Sequence, residues 1–135
     1  MVSWRYKRLL KRHKAVLPAD APADNSLRLY VLVDDSILPK GGAKSAQVTH
    51  AVVELMKRHY PANERVRVWA DTDKTLIILA AKEDEIALHL ASFIVAGKAA
   101  EGFREPDLGD RLTVAAFEPL AGLECAVFSH LDRAR

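Results

Sequence analysis

The stretch from Leu29 to Glu54, LYVLVDDSILPKGGAKSAQVTHAVVE, constrains this chain more than any other. Leu29 to Val33 is short and rich in aliphatics, as a strand covered on both faces would be. Asp34, Asp35 and Ser36 end it, and Pro39, Gly41 and Gly42 then exclude a regular element. A first helix should begin at Ala43 or Lys44 and be stopped by Pro61. A strand that feeds a glycine loop onto a helix N-terminus brings unpaired N–H groups and the positive end of a dipole together, which is a recipe for an anion site. Lys40 and Lys44 add charge to it.

Within the first helix Val48, Val52, Leu55, Met56 and His59 form an apolar stripe at helical spacing that should face a sheet. Gln47, His50 and Glu54 fall on another side and are predicted to point together away from that core. Val66 to Ala70 reads as a short strand, and Thr75 to Ala80, almost wholly aliphatic or β-branched, as a stronger one. Glu83, Asp84 and Glu85 place acid on the first turn of a second helix whose buried stripe is Ile86, Leu90, Phe93 and Ile94, with Gly97 as its C-cap. Phe103 begins a brief extended segment, Pro106 to Asp110 is a turn, and Leu112 to Phe117 is a final strand ended by Pro119. Leu120 to Leu131 is predicted to be a C-terminal helix. Helical crossovers imply parallel pairs and the tight turn before Leu112 implies an antiparallel one, so the fold is expected to be α/β, with a mixed sheet and helices on both faces.

With 135 residues, half of them apolar, the chain suits one core and is short for two. No apolar run approaches the roughly 18 residues of a membrane span, and no apolar segment follows the basic N-terminus as in a secretory signal. A cytoplasmic protein is the expectation. The net charge of +2 conceals an asymmetry: residues 1–14 carry six Lys/Arg and no acid, leaving fourteen bases against eighteen acids in the remainder. Residues 1–26 therefore read as a basic arm and a Pro/Ala/Asp-rich linker, and residues 27–135 as the domain. An arm with Trp4 and Tyr6 among its cations suits a polyanion such as RNA, gripped through phosphates and stacking. The sole cysteine, Cys125, lies in an apolar run and is expected to pack in the core. Phosphate-loop, dinucleotide, serine-elbow and zinc-protease signatures are missing, which lowers the standing of those chemistries. His50 and Glu54 at i, i+4 make half of a metal site at most, and no metal is expected.

The glycine loop LPKGGAK, then Gln47-Val48-Thr49-His50-Ala51 on a helix, and the late segment Phe103-Arg104-Glu105-Pro106-Asp107-Leu108-Gly109 before Leu112-Thr113-Val114-Ala115-Ala116 together resemble the type II peptidyl-tRNA hydrolase family. The likeness spans about Leu29 to Pro119. It implies a single domain with a mixed four-stranded sheet and helices on both faces, and hydrolysis of the ester that joins a stalled peptide to the 3′ ribose of tRNA. It also implies catalysis with neither organic cofactor nor metal. Asp107 would orient and deprotonate the attacking water, Lys44 or Lys40 would stabilise the oxyanion or hold the terminal phosphate, and His50 and Gln47 would position substrate beside the backbone of Gly41 and Gly42 or brace that loop. The hydroxyl usual near the family aspartate has no counterpart close to Asp107, because Thr113 belongs to the following strand. An alternative is a non-catalytic RNA- or protein-binding module on the same fold. The oligomeric state stays open, a homodimer included.

Overall fold

A computed structural model describes residues 26–37 and 42–134. Seven elements follow in order: β1 (Arg28–Val33), α1 (Gly42–His59), α2 (Glu64–Val68), β2 (Thr75–Ala80), α3 (Glu83–Val95), β3 (Ala100–Glu105) and β4 (Arg111–Phe117). The basic arm, Lys40 and Gly41 lie outside the described residues. The four strands form one mixed sheet in the order β2-β1-β4-β3. β1 and β2 run parallel, with Tyr30 opposite Ile77, while β4 is antiparallel to both β1 and β3.

Helices cover both faces, as expected, and each face has its own core. Leu29, Val31 and Val33 of β1 point to the α1 side, where they meet Val48, Ala51 and Leu55, with Val66 and Trp69 beside them. Tyr30 and Leu32 point the other way, toward Ile86 and Phe93 of α3 and toward Cys125 and Phe128 of the C-terminal segment. The strict alternation along a strand buried on both sides is what makes LYVLV almost entirely apolar. Gly102 of β3 allows α3 to sit close: a Cβ there would come within 2.7 Å of a Leu112 methyl and 3.1 Å of a Leu90 methyl. The C-cap of α3 is Ala96, one residue before the expected Gly97, which follows it in the left-handed conformation at φ +75°, and Lys98 N–H closes onto Phe93 O at 2.9 Å.

Three expectations are corrected. Val66 to Ala70 is helical: Asn63 caps α2 by accepting from Val66 N at 3.0 Å, and a π-helical turn, Trp69–Asp73, continues it to Lys74. Val66 and Trp69, three apart, share one face of a helix and would fall on opposite faces of a strand, so their joint burial in one core requires the helix. Residues 120–131 do not form an α-helix; a 3₁₀ segment, Gly122–Phe128, is followed by an extended tail. Cys125, Phe128 and Leu131 repeat every third residue, which is the 3₁₀ period. The tail then pairs along the outer edge of β2, with Ala80 N–H on Asp132 O at 2.8 Å and Ala134 N–H on Ile78 O at 3.0 Å, and so shields an otherwise open strand edge. Finally, Ile94 is 58% exposed, and Leu88 and Val95 of the same helix are more exposed still, so the buried stripe of α3 reduces to Ile86, Phe93 and part of Leu90.

No helix among the described residues is long and apolar enough to cross a membrane.

Candidate active site

The C-terminal ends of β1, β2 and β3, the start of β4 and the N-termini of α1 and α3 gather at one end of the sheet. α3 is fastened there by Glu83, whose carboxylate accepts from Leu112 N at 2.8 Å. In open α/β sheets the ends of strands that feed helices are where ligands are held, because loops and helix N-termini converge on them.

Gln47 is the hub of this end. It was expected to project away from the core with His50 and Glu54; instead it is buried, and the three side chains separate. The cause is a small rotation of α1: Gln47, Ala51 and Leu55, spaced at i, i+4 and i+8, form the stripe that meets the sheet, together with Val48. Gln47 Nε2 donates to Glu105 Oε2 at 2.5 Å, and Gln47 Oε1 accepts from the Thr113 hydroxyl at 3.3 Å. Glu105 in turn accepts from the backbone N–H of Asp107 through its other oxygen, at 3.3 Å. One amide thus ties the second turn of α1 to β4 and to the turn that carries Asp107.

Thr113 reaches Gln47 because of a bulge. Across the β3–β4 pair Phe103 faces Val114 but Arg104 faces Leu112, leaving Thr113 as the extra residue. A bulge turns the side chain of its extra residue out of the regular alternation, and here it turns a fully buried hydroxyl toward α1. Sequence reasoning assigned Thr113 to the strand, which is right, and missed its contact. The signal for Glu105 was equally faint: a carboxylate just before a Pro-Asp turn looks like ordinary surface charge.

Asp107 is exposed, on the short 3₁₀ turn Pro106–Leu108, which Gly109 terminates at φ +70°. Lys44 is half-buried one turn before Gln47 on α1, and a Cβ on Gly42 would meet nothing within 4 Å, so the backbone at the start of this helix is open to approach. His50 is exposed, and its ring meets the edge of Phe103 at 4.9 Å between centroids. Glu54 pairs with Arg58 at 3.1 Å, away from the other two. Of the residues singled out in the sequence, Gln47 and the Asp107 turn are connected through Glu105, Lys44 and Gly42 stand on the same helix end, His50 lies beside β3, and Lys40 and Gly41 fall outside the described residues. Asp34, at the end of β1, is buried and accepts from both the N–H and the hydroxyl of Ser36 through Oδ1. No family model matches the chain, and no curated protein is significantly similar to it.

Among the described residues on the elements that meet here acids outnumber bases: Asp34, Asp35, Glu83, Asp84, Glu85, Glu105, Asp107 and Asp110 against Lys44, Lys82, Arg104 and Arg111. Among the described residues no group of three or more His, Cys, Asp or Glu is arranged to hold a metal ion.

Proposed function

We propose that the chain hydrolyses the ester of peptidyl-tRNA, with Asp107 positioning and deprotonating water and the start of α1, with Lys44, supporting the oxyanion. The observation that carries this reading is the chain of contacts Gln47–Glu105–Asp107 N–H: it joins the two motifs that suggested the activity, which are far apart in sequence. His50 and Phe103 offer a ring pair beside the same end on which a terminal adenine would stack. The phosphates would be met by the cations of residues 1–14, since acids outnumber bases among the described residues at the sheet end. Cleavage would accordingly weaken with added salt.

The test is release of labelled peptide from a peptidyl-tRNA by the full chain. Asp107→Asn is expected to lower the rate by about 100-fold or more, and Lys44→Ala to lower it less. A full chain that binds tRNA and releases no peptide, or one whose rate ignores Asp107→Asn, defeats the reading. A second reading, a non-catalytic module that binds a basic protein segment, is favoured by the surplus of carboxylates at this end. It predicts no ester cleavage, and capture of a lysine-rich peptide that is lost with Glu105→Gln and Asp107→Asn together.

A further inference from the structure

The two long helices differ in what they show to solvent. α1 ends in the exposed cations Lys57 and Arg58, the charged face of an ordinary surface helix. α3 buries Ile86 and Phe93 against the sheet, and yet the twelve residues between Glu85 and Lys98, IALHLASFIVAG, include no Asp, Glu, Lys or Arg. His89 among them packs on Phe128 and His130. Leu88, Ile94 and Val95 are 67%, 58% and 87% exposed, the three most exposed large apolar side chains among the described residues. Scattered singly, such residues would mean little; gathered on one helix they mark a contact surface. A helix that is apolar all round is ordinarily covered all round.

The outward face also has a shape. Leu88, Ala91 and Val95, at i, i+3 and i+7, run along it, and with Ser92 and Ala96 they line a shallow depression. Small side chains lie in the middle and a larger one on either side, so the face reads alike from both ends. Such a patch is complementary to itself, as a two-fold contact requires, and the alanine and serine at its centre let two helix axes come close.

Charge sets the direction of the pair. Glu83, Asp84 and Glu85 occupy the first turn of α3. A parallel arrangement would bring two such turns together, like charge on like. An antiparallel one keeps them a helix length apart and sends each toward the end where Lys98 follows the other helix.

We propose that two copies of this chain associate through α3, antiparallel about a two-fold axis near Ala91 and Ser92, with Leu88 of each copy against Val95 of the other. The sheet ends that carry Asp107 then lie at opposite ends of the pair, so the contact stands or falls independently of ester hydrolysis. One pair of helices buries less than a standard interface of roughly 1,600 Å², and the association is expected to be weak, with Kd about 10–100 μM.

Sedimentation equilibrium of the full chain between about 5 and about 500 μM tests the proposal, since that range brackets the expected Kd. Val95→Glu and Leu88→Glu, at exposed positions, should leave Tm unchanged and weaken association at least about 10-fold, whereas Lys57→Glu on α1 should not affect it. Under mild oxidation Ser92→Cys should form a disulfide between copies, and Lys57→Cys and the unaltered chain, whose Cys125 is buried, should not. A chain that stays monomeric at the top of the range overturns the proposal, as it would if residues 1–25 of the same copy covered α3. A dimer that Val95→Glu leaves intact overturns it too, as does one in which Lys57→Cys cross-links as readily as Ser92→Cys.

Discussion

Gln47 and Tyr30 are polar side chains with 7% and 6% of their surface exposed, one on each side of the same sheet, and their surroundings differ. Gln47 sits in a closed network: its amide engages Glu105 and Thr113 at once, and Glu105 passes the connection on to the Asp107 turn. Tyr30 borders an open volume lined by two arginines and the Cys125 thiol. A buried polar group whose capacity is consumed by neighbours braces the backbone, since leaving any member unsatisfied is costly. Tyr30 too has neighbours for its hydroxyl, Cys125 and Arg28, but they hold it at the border of a hollow and not within a closed brace. On the α1 side, then, the buried amide braces the turn that carries Asp107, while on the α3 side the buried hydroxyl borders a hollow.

The largest effect that would strain this contrast comes from Phe128, which closes the Tyr30 side. Its ring lies 5.0 Å from Tyr30, 5.2 Å from Phe117, 4.9 Å from His89 and 5.9 Å from Phe93. Phe128→Ala should cost about 4 kcal/mol by urea unfolding, and a loss below about 1 kcal/mol would mean that the C-terminal segment covers the sheet only loosely. Next is Gln47→Ala, expected to cost about 2 kcal/mol because Glu105 and Thr113 both lose their partner. Combining it with Thr113→Val should give a coupling of about 0.5 to 1 kcal/mol in a double-mutant cycle; strict additivity would dissolve the closed network. Asp107→Asn, on the exposed turn this network supports, should change stability by no more than about 0.5 kcal/mol while abolishing most peptide release. A large stability loss there would make Asp107 part of the brace.

The same two sides also differ in how legible they were. β1 and β4 could be read directly because strands covered on both faces need unbroken aliphatic runs, as LYVLV and LTVAAF are, and the partly buried β2 because TLIILA is aliphatic or β-branched throughout. The VRVWA segment was misread because five residues cannot distinguish a period of two from one of 3.6, and the deciding element, the Asn63 cap, lies three residues upstream of Val66. The C-terminal segment was misread as an α-helix although its Cys125, Phe128, Leu131 spacing matches a three-residue turn better. Gln47 was placed on the wrong side of α1 for a physical reason: a polar residue was assumed to seek solvent, and the partners that make its burial tolerable, Glu105 and Thr113, are 58 and 66 residues away. The bulge at Thr113 arises from pairing with β3 and leaves no local trace. Neither of the polar clusters contrasted above could have been assembled without the sheet register.

The smallest effect sharpens the contrast by asking whether the Tyr30 side tolerates charge. His89 on α3 packs against Phe128 at 4.9 Å and against His130 at 5.7 Å. Burial, and secondarily His130, hold its pKa below the ordinary histidine value, with Glu85 pulling the other way. His130 itself meets Glu85 at 3.5 Å, so the titrating neighbourhood is these three side chains. With the folded value depressed, the unfolded chain binds more protons through the window below about pH 6.5. The stability present above the unfolded value is therefore lost as pH falls through that window, before most carboxylates titrate. Tm should decline between about pH 7 and about pH 5, and His89→Gln should flatten that decline by up to about 2 °C. The same decline in the variant would show that protonation elsewhere is responsible, and that the apolar packing around Phe128 accommodates an imidazolium without cost.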